Sequence, residues 1–224
     1  MIHDELLRTL LSPGDSDGRF YGVVVGVVTN NRDPDGMHRV KVHFPWLDLE
    51  HESHWARVVA TMAGNDRGGY FLPEVDDEVL VAFEHGSLEH PYVIGSLWNG
   101  KDKPPENNSD GKNDNRTIKS RSGHIVRLCD SSGAERIEII DKSGSNKIII
   151  ASSDNKITIE AQGDIEITSQ TGKVKITAIG VEITSTTDVK IQAQTTIDAS
   201  ATGQVNISGT GPVNISGALV NINS

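Results

Sequence analysis

Aromatic side chains make up only 4% of this 224-residue chain, and none follows Trp98. The long C-terminal part must therefore pack without rings, which argues there against a sugar-stacking groove or an aromatic-bearing receptor head. Cysteine occurs once, at Cys129, so no intramolecular disulfide framework exists. After Asp198 no side chain is charged. Residues 1–100 hold a single lysine, Lys41, within a total of 7 basic and 16 acidic residues, so nearly all of the chain's net charge of −10 sits there. Such an acidic half does not bind nucleic acid or an anionic membrane by charge. No apolar run is long enough to span a bilayer, and the start carries Asp4 and Glu5 rather than a secretory leader. The reading is of a chain made in a cytoplasm without a signal peptide, which reaches any other place as part of something larger.

What the chain has in abundance is a short repeat. From Ile148 to Ile222 run ten triplets of a β-branched residue, a spacer and a third, mostly β-branched residue, at starts 148, 157, 165, 174, 181, 189, 197, 205, 213 and 220. Repetition at a period of about eight residues is the mark of a solenoid-like architecture. Within a triplet the first and third side chains share one face and the spacer takes the other. The intervening Gly, Ser, Thr, Asn, Asp and Ala turn a chain easily. A unit this short is one strand and one corner, too little for a single chain to close a core. Three identical chains wound together would close it, with one strand per chain in each triangular layer. At a strand spacing of about 4.8 Å, ten layers make a needle of roughly 50 Å. The expected trimer core is Ile157, Ile159, Ile165, Ile167, Val174, Ile176, Val181, Ile183, Val189, Ile191, Val205, Ile207, Val213, Ile215, Val220 and Ile222.

Upstream the pattern changes. Residues 4–12 read as a short helix whose stripe Leu6, Leu7, Leu10 and Leu11 packs either on the next domain or on a partner, a hub protein above the trimer. Residues 20–98 read as five strands: Phe20–Thr29, Arg39–Phe44, Trp55–Val59, Val79–Phe83 and Tyr92–Leu97, which suits a small closed barrel of the OB type. The domain plan is a helix over 1–17, an OB barrel over 18–99, a polar linker over 100–118, a neck over 119–147 and the needle over 148–224. Neck strands start 11 residues apart, at Val126, Ile137 and Ile148, before the period shortens.

Several strings carry a resemblance: Asp33-Pro34 followed by Gly36, His43-Phe44-Pro45-Trp46, Trp55-Ala56-Arg57-Val58, Pro73 through Glu84, and His90-Pro91-Tyr92-Val93-Ile94-Gly95-Ser96-Leu97-Trp98-Asn99. The likeness continues through Lys119-Ser120-Arg121-Ser122-Gly123-His124 and Gly133-Ala134-Glu135-Arg136-Ile137 into the repeats. The chain resembles the central spikes of contractile injection machines, the phage baseplate assembly protein V group and the VgrG spikes of type VI secretion. The resemblance implies an all-β homotrimer, an OB collar followed by an intertwined three-chain β-helix, and a place at the tip of a tail tube, in a phage virion or phage-like particle. It implies a structural role, not an enzymatic one, with the membrane met only by mechanical puncture. VgrG spikes usually carry a large hub domain before the barrel, whereas only about 17 residues precede it here, so the hub is expected to be a separate protein. Some phage spikes insert a lysozyme domain where this chain has only the polar linker. The paired-histidine apex iron site of some phage spikes has no counterpart here, because no histidine follows His124. The end of the chain is either uncapped or a blunt platform for a cone-shaped PAAR-type tip protein, met by Leu219, Asn221, Asn223 and Ser224.

Other chemistry is sparse. His51, Glu52 and His54 read as a solvated loop rather than a metal site. Asp33, Asp35 and Gly36 read as a hairpin turn, since a calcium loop's remaining ligands are missing. Asp76, Asp77 and Glu78 lead into a strand. Cys129 lacks a neighbouring basic cluster in sequence and is expected to be buried. No nucleophile–base pair or phosphate loop stands out, and no cofactor is implied beyond an ion on the needle axis. The competing reading is a single-chain β-solenoid adhesin or polysaccharide-binding protein.

Overall fold

In a computed structural model of the chain, residues 19–47 and 52–221 are described. The stripe Leu6, Leu7, Leu10 and Leu11, together with Ile222, Asn223 and Ser224, lies outside them.

Five strands form a closed barrel: β1 (Val23–Asn30), β2 (Arg39–His43), β3 (Ala56–Val58), β6 (Glu78–Phe83) and β7 (Pro91–Leu97). Around the barrel they run β1-β2-β3-β7-β6, with β3 parallel to β7 and the other pairs antiparallel. This closed five-strand order is that of an OB-type barrel. Two alternating strands supply most of the core. Val40 and Val42 point inward from β2, and Val79, Val81 and Phe83 from β6, meeting Val28, Ala56 and Val93. Phe44 and Phe83, with ring centroids 5.6 Å apart, pack with Phe20 and Trp46 in one aromatic cluster. β1 lies close on β2 because position 26 is glycine: a Cβ there would stand 2.3 Å from Val42 Cγ1. Between β3 and β6 the chain makes a small hairpin, β4 (Ala63–Gly64) and β5 (Arg67–Gly68). A short 3₁₀ turn, Glu84–Gly86, joins β6 to β7.

The turns explain the acidic strings. Asp33 receives the backbone N–H groups of Asp35 and Met37 and both Arg39 nitrogens, Nε at 2.9 Å and Nη2 at 2.6 Å. The Arg39 guanidinium holds the Asp33 carboxyl far below the usual carboxylate range, so the carboxylate is committed to the hairpin. Glu52 accepts from Lys41 at 3.0 Å. Asp76 and Asp77 bond through their backbones to Val28 and bring the chain into β6. Among the described residues no group of three potential ligands is placed to hold a metal.

A second sheet follows, a meander of β8 (Asn115–Lys119), β9 (Ile125–Cys129), β10 (Arg136–Ile140), β11 (Lys147–Ala151) and β12 (Lys156–Glu160). All four pairings are antiparallel. β8 starts inside the stretch that reads as linker. The first two triplets of the repeat fall in β11 and β12, of which β11 pairs with β10 and β12 with β11. From Glu166 the chain forms a separate unit. Among residues 161–221 no strand is paired within the chain.

Candidate functional site

The meander has two unlike faces, and its register decides which residues share them. One row of cross-strand neighbours is Ile118, Val126, Ile139, Ile148 and Ile159. The adjacent row is Arg116, Leu128, Ile137, Ile150 and Ile157. Every apolar member of both rows is at least 40% exposed, although cross-strand β-branched pairs normally back onto a core. The result is a contiguous apolar face left exposed among the described residues of this unit. Patches of this kind on a soluble protein mark an interaction surface.

The opposite face mixes half-buried Ile125, Ile140 and Ile149 with a network of paired charges. Glu138 is largely buried and accepts from Arg136 Nε at 2.7 Å and Arg127 Nη1 at 3.1 Å. Burial alone would raise the Glu138 pKa, but the two guanidinium groups outweigh it and the carboxyl lies below its ordinary value. Arg127 also reaches Glu106, whose Oε1 accepts from the Thr117 hydroxyl at 2.6 Å. The Thr117 hydroxyl is the largest influence lowering Glu106, with Arg127 adding to it. Glu106 thereby fastens the segment before β8 onto the sheet. Cys129 is buried as expected, but not away from basic groups: Arg136 Nη1 lies 3.4 Å from Sγ, because the register sets position 136 opposite 129.

The repeats continue the apolar theme. Ile157 and Ile159 belong to the meander face, Ile165 closes the first unit, and the apolar residues from Ile167 onward run through the second. In the triplets at 174, 181, 189, 205 and 213 the first residue is 51–59% exposed and the third 69–74%. In each of these triplets the first residue is the less exposed of the two. Val220, Leu219 and Asn221, near the end of the described chain, are exposed as well. Sequence periodicity identified the triplets. It also placed Val126, Leu128, Ile137 and Ile139 in neck strands, but it left Ile118 in the linker, and that these residues share one face depends on strand pairing.

Comparison with known proteins agrees with the barrel. Residues 24–98 match the family model of the type VI secretion system/phage-baseplate injector OB domain. The type VI secretion system spike protein VgrG3 of Vibrio cholerae is 30% identical over 138 residues, which cover 60% of this chain and 13% of that protein. VgrG1c of Pseudomonas aeruginosa is 32% identical over 129 residues, or 52% of this chain and 18% of that protein. A further relative, the actin cross-linking toxin VgrG1 of Vibrio cholerae, is 33% identical over 93 residues, 40% of this chain and 8% of its own length. The chain thus spans less than a fifth of the length of these relatives. The matched segment coincides with the five-stranded barrel, so this barrel is an injector OB domain, and over it and the residues that follow the chain is VgrG-like.

Proposed function

We propose that this chain is the structural central spike of a contractile injection machine. The observation that carries this reading is the uncovered apolar ladder, which begins on the meander and recurs through every later triplet, on a chain that also carries an injector OB barrel. Three copies facing one another bury all of it at once. Each meander supplies one wall of a triangular prism, with the network of Glu106, Arg127, Glu138 and Arg136 turned outward to solvent. Beyond Glu160 the strands, unpaired within one chain, find main-chain partners in the other two, giving the three-chain β-helix over residues 148–224. Winding the chains together also removes free sheet edges.

The role that follows is mechanical rather than catalytic. The barrel collar closes the distal end of a tail tube and its hub, with Leu6, Leu7, Leu10 and Leu11 as the hub contact. The needle passes into a target envelope when the sheath contracts. It bears load because each layer is tied to the next along a continuous apolar axis, and interwound chains do not separate one at a time. Its end, through Leu219, Asn221, Asn223 and Ser224, carries a cone-shaped PAAR-type tip protein. The protein works as part of a virion or phage-like particle. Electron microscopy of the purified chain tests the architecture: a collar bearing a thin rod of roughly 50 Å is expected. A compact particle without a rod would overturn it and return the single-chain solenoid to consideration.

A further inference from the structure

The segment between β3 and β6 displays two rings that the barrel does not use. Tyr70 and Phe71 are 73% and 72% exposed, although the chain has only seven Tyr and Phe residues in all. Their exposure is built into the local backbone. The β4–β5 hairpin reverses the chain, the Gly69 N–H donates to the Met62 carbonyl at 3.0 Å, and position 68 must be glycine. Its φ is +150°, and a Cβ there would meet the Met62 carbonyl oxygen at 2.4 Å. At the base of the arm Leu72 packs on the barrel core, while the His38 ring lies 4.6 Å from that of Tyr70. A surface ion pair between Arg121 in the β8–β9 turn and Glu74, at 2.8 Å, links the base of the arm to the meander. Both rings border a groove of about 770 Å³ whose floor is the uncovered row of Ile118, Val126, Ile139 and Ile148.

We propose that Tyr70 and Phe71 form an interchain clasp, packing on the meander of a second copy of this chain at the β8 edge of the shared core. The inference rests on the trimeric reading above, and it names where the collar and the needle of neighbouring copies lock. The groove is continuous with the face that the assembly covers, so a neighbouring sheet laid on that face reaches the rings. A rigid arm that holds two aromatics in solvent gains their burial at little cost in ordering, which is how preorganised anchors act at interfaces.

Photocrosslinking of the full chain tests it, with p-benzoylphenylalanine in place of Phe71. Irradiation is expected to give covalent dimers and trimers on a boiled denaturing gel, with the linked peptide between residues 115 and 129 of another copy. Crosslinks confined to single chains, in particles that light scattering shows to be trimers, would overturn the clasp and leave the spike reading intact. Monomeric particles would remove both. A Tyr70→Ser/Phe71→Ser double variant supplies a second readout: trimers of unchanged mass that dissociate in SDS about tenfold faster. An unchanged dissociation rate would contradict the clasp.

Discussion

Replacing one apolar pair in the middle of the repeats, Val189→Asn together with Ile191→Asn, interrogates the needle directly. In the single chain these side chains are 58% and 70% exposed. Complete burial of a Val or Ile side chain is worth about 1.5–3 kcal/mol, so closing the exposed fraction contributes roughly 1–2 kcal/mol each. Two side chains from each of three copies make roughly 6–12 kcal/mol for one layer. Amides placed there without full hydrogen bonding add about 1–3 kcal/mol apiece in the same direction. One layer is therefore enough to open the prism locally, because a stacked repeat depends on its nearest neighbours. Lys190 lies between the two substituted positions and is the last basic residue in the chain. Trypsin is expected to leave the parent protein intact at Lys190 and to release residues 191–224 from the double variant. The control Asp188→Asn, outside the apolar pair, should behave like the parent. A double variant as resistant as the parent would refute the reasoning, since it would mean that these side chains face solvent in the assembled protein too.

Three further outcomes follow from the barrel and the neck. Gly26→Ala forces a methyl group against Val42 and should cost roughly 1–3 kcal/mol of barrel stability. Guanidinium unfolding followed by tryptophan fluorescence reads it, since Trp46, Trp55 and Trp98 all lie in or beside the barrel. Glu138→Gln removes the charge shared by Arg127 and Arg136 and should cost about 1.5–3 kcal/mol per chain, seen as a lower thermal midpoint. The pH dependence has a definite sign. Glu106 and Glu138 are held below their ordinary values, so their stabilisation is fully present above about pH 4.5 and is lost as pH falls through their lowered pKa values. Calorimetry at pH 7 and pH 3 should therefore show the parent losing more stability on acidification than Glu138→Gln.

The barrel was readable from sequence because its signal is local. Val40, Val42 and Phe44 alternate, as do Val79, Val81 and Phe83, and each set turned out to line the core. The triplets were equally plain, since a short period repeats itself many times. Features that depend on pairing between distant residues were not legible. β8 reads as linker because Ile118 is its only apolar residue, and the strand is held instead by Arg127 and Glu106 across its polar face. Cys129 gave no sign of Arg136, which is brought beside it only by the β9–β10 register. Tyr70 and Phe71 lay in a stretch without periodicity, and what sets them apart is exposure, a property that only the folded chain has.

The central claim is that the apolar ladder is covered by two further copies of the same chain, and its most direct test is the solution mass. Light scattering, with an unheated SDS gel lane beside it, should give three chains of 24.2 kDa, about 73 kDa, and a band that collapses only on boiling. A stable, soluble particle of 24.2 kDa would contradict it, because a lone chain would then keep its whole ladder in water.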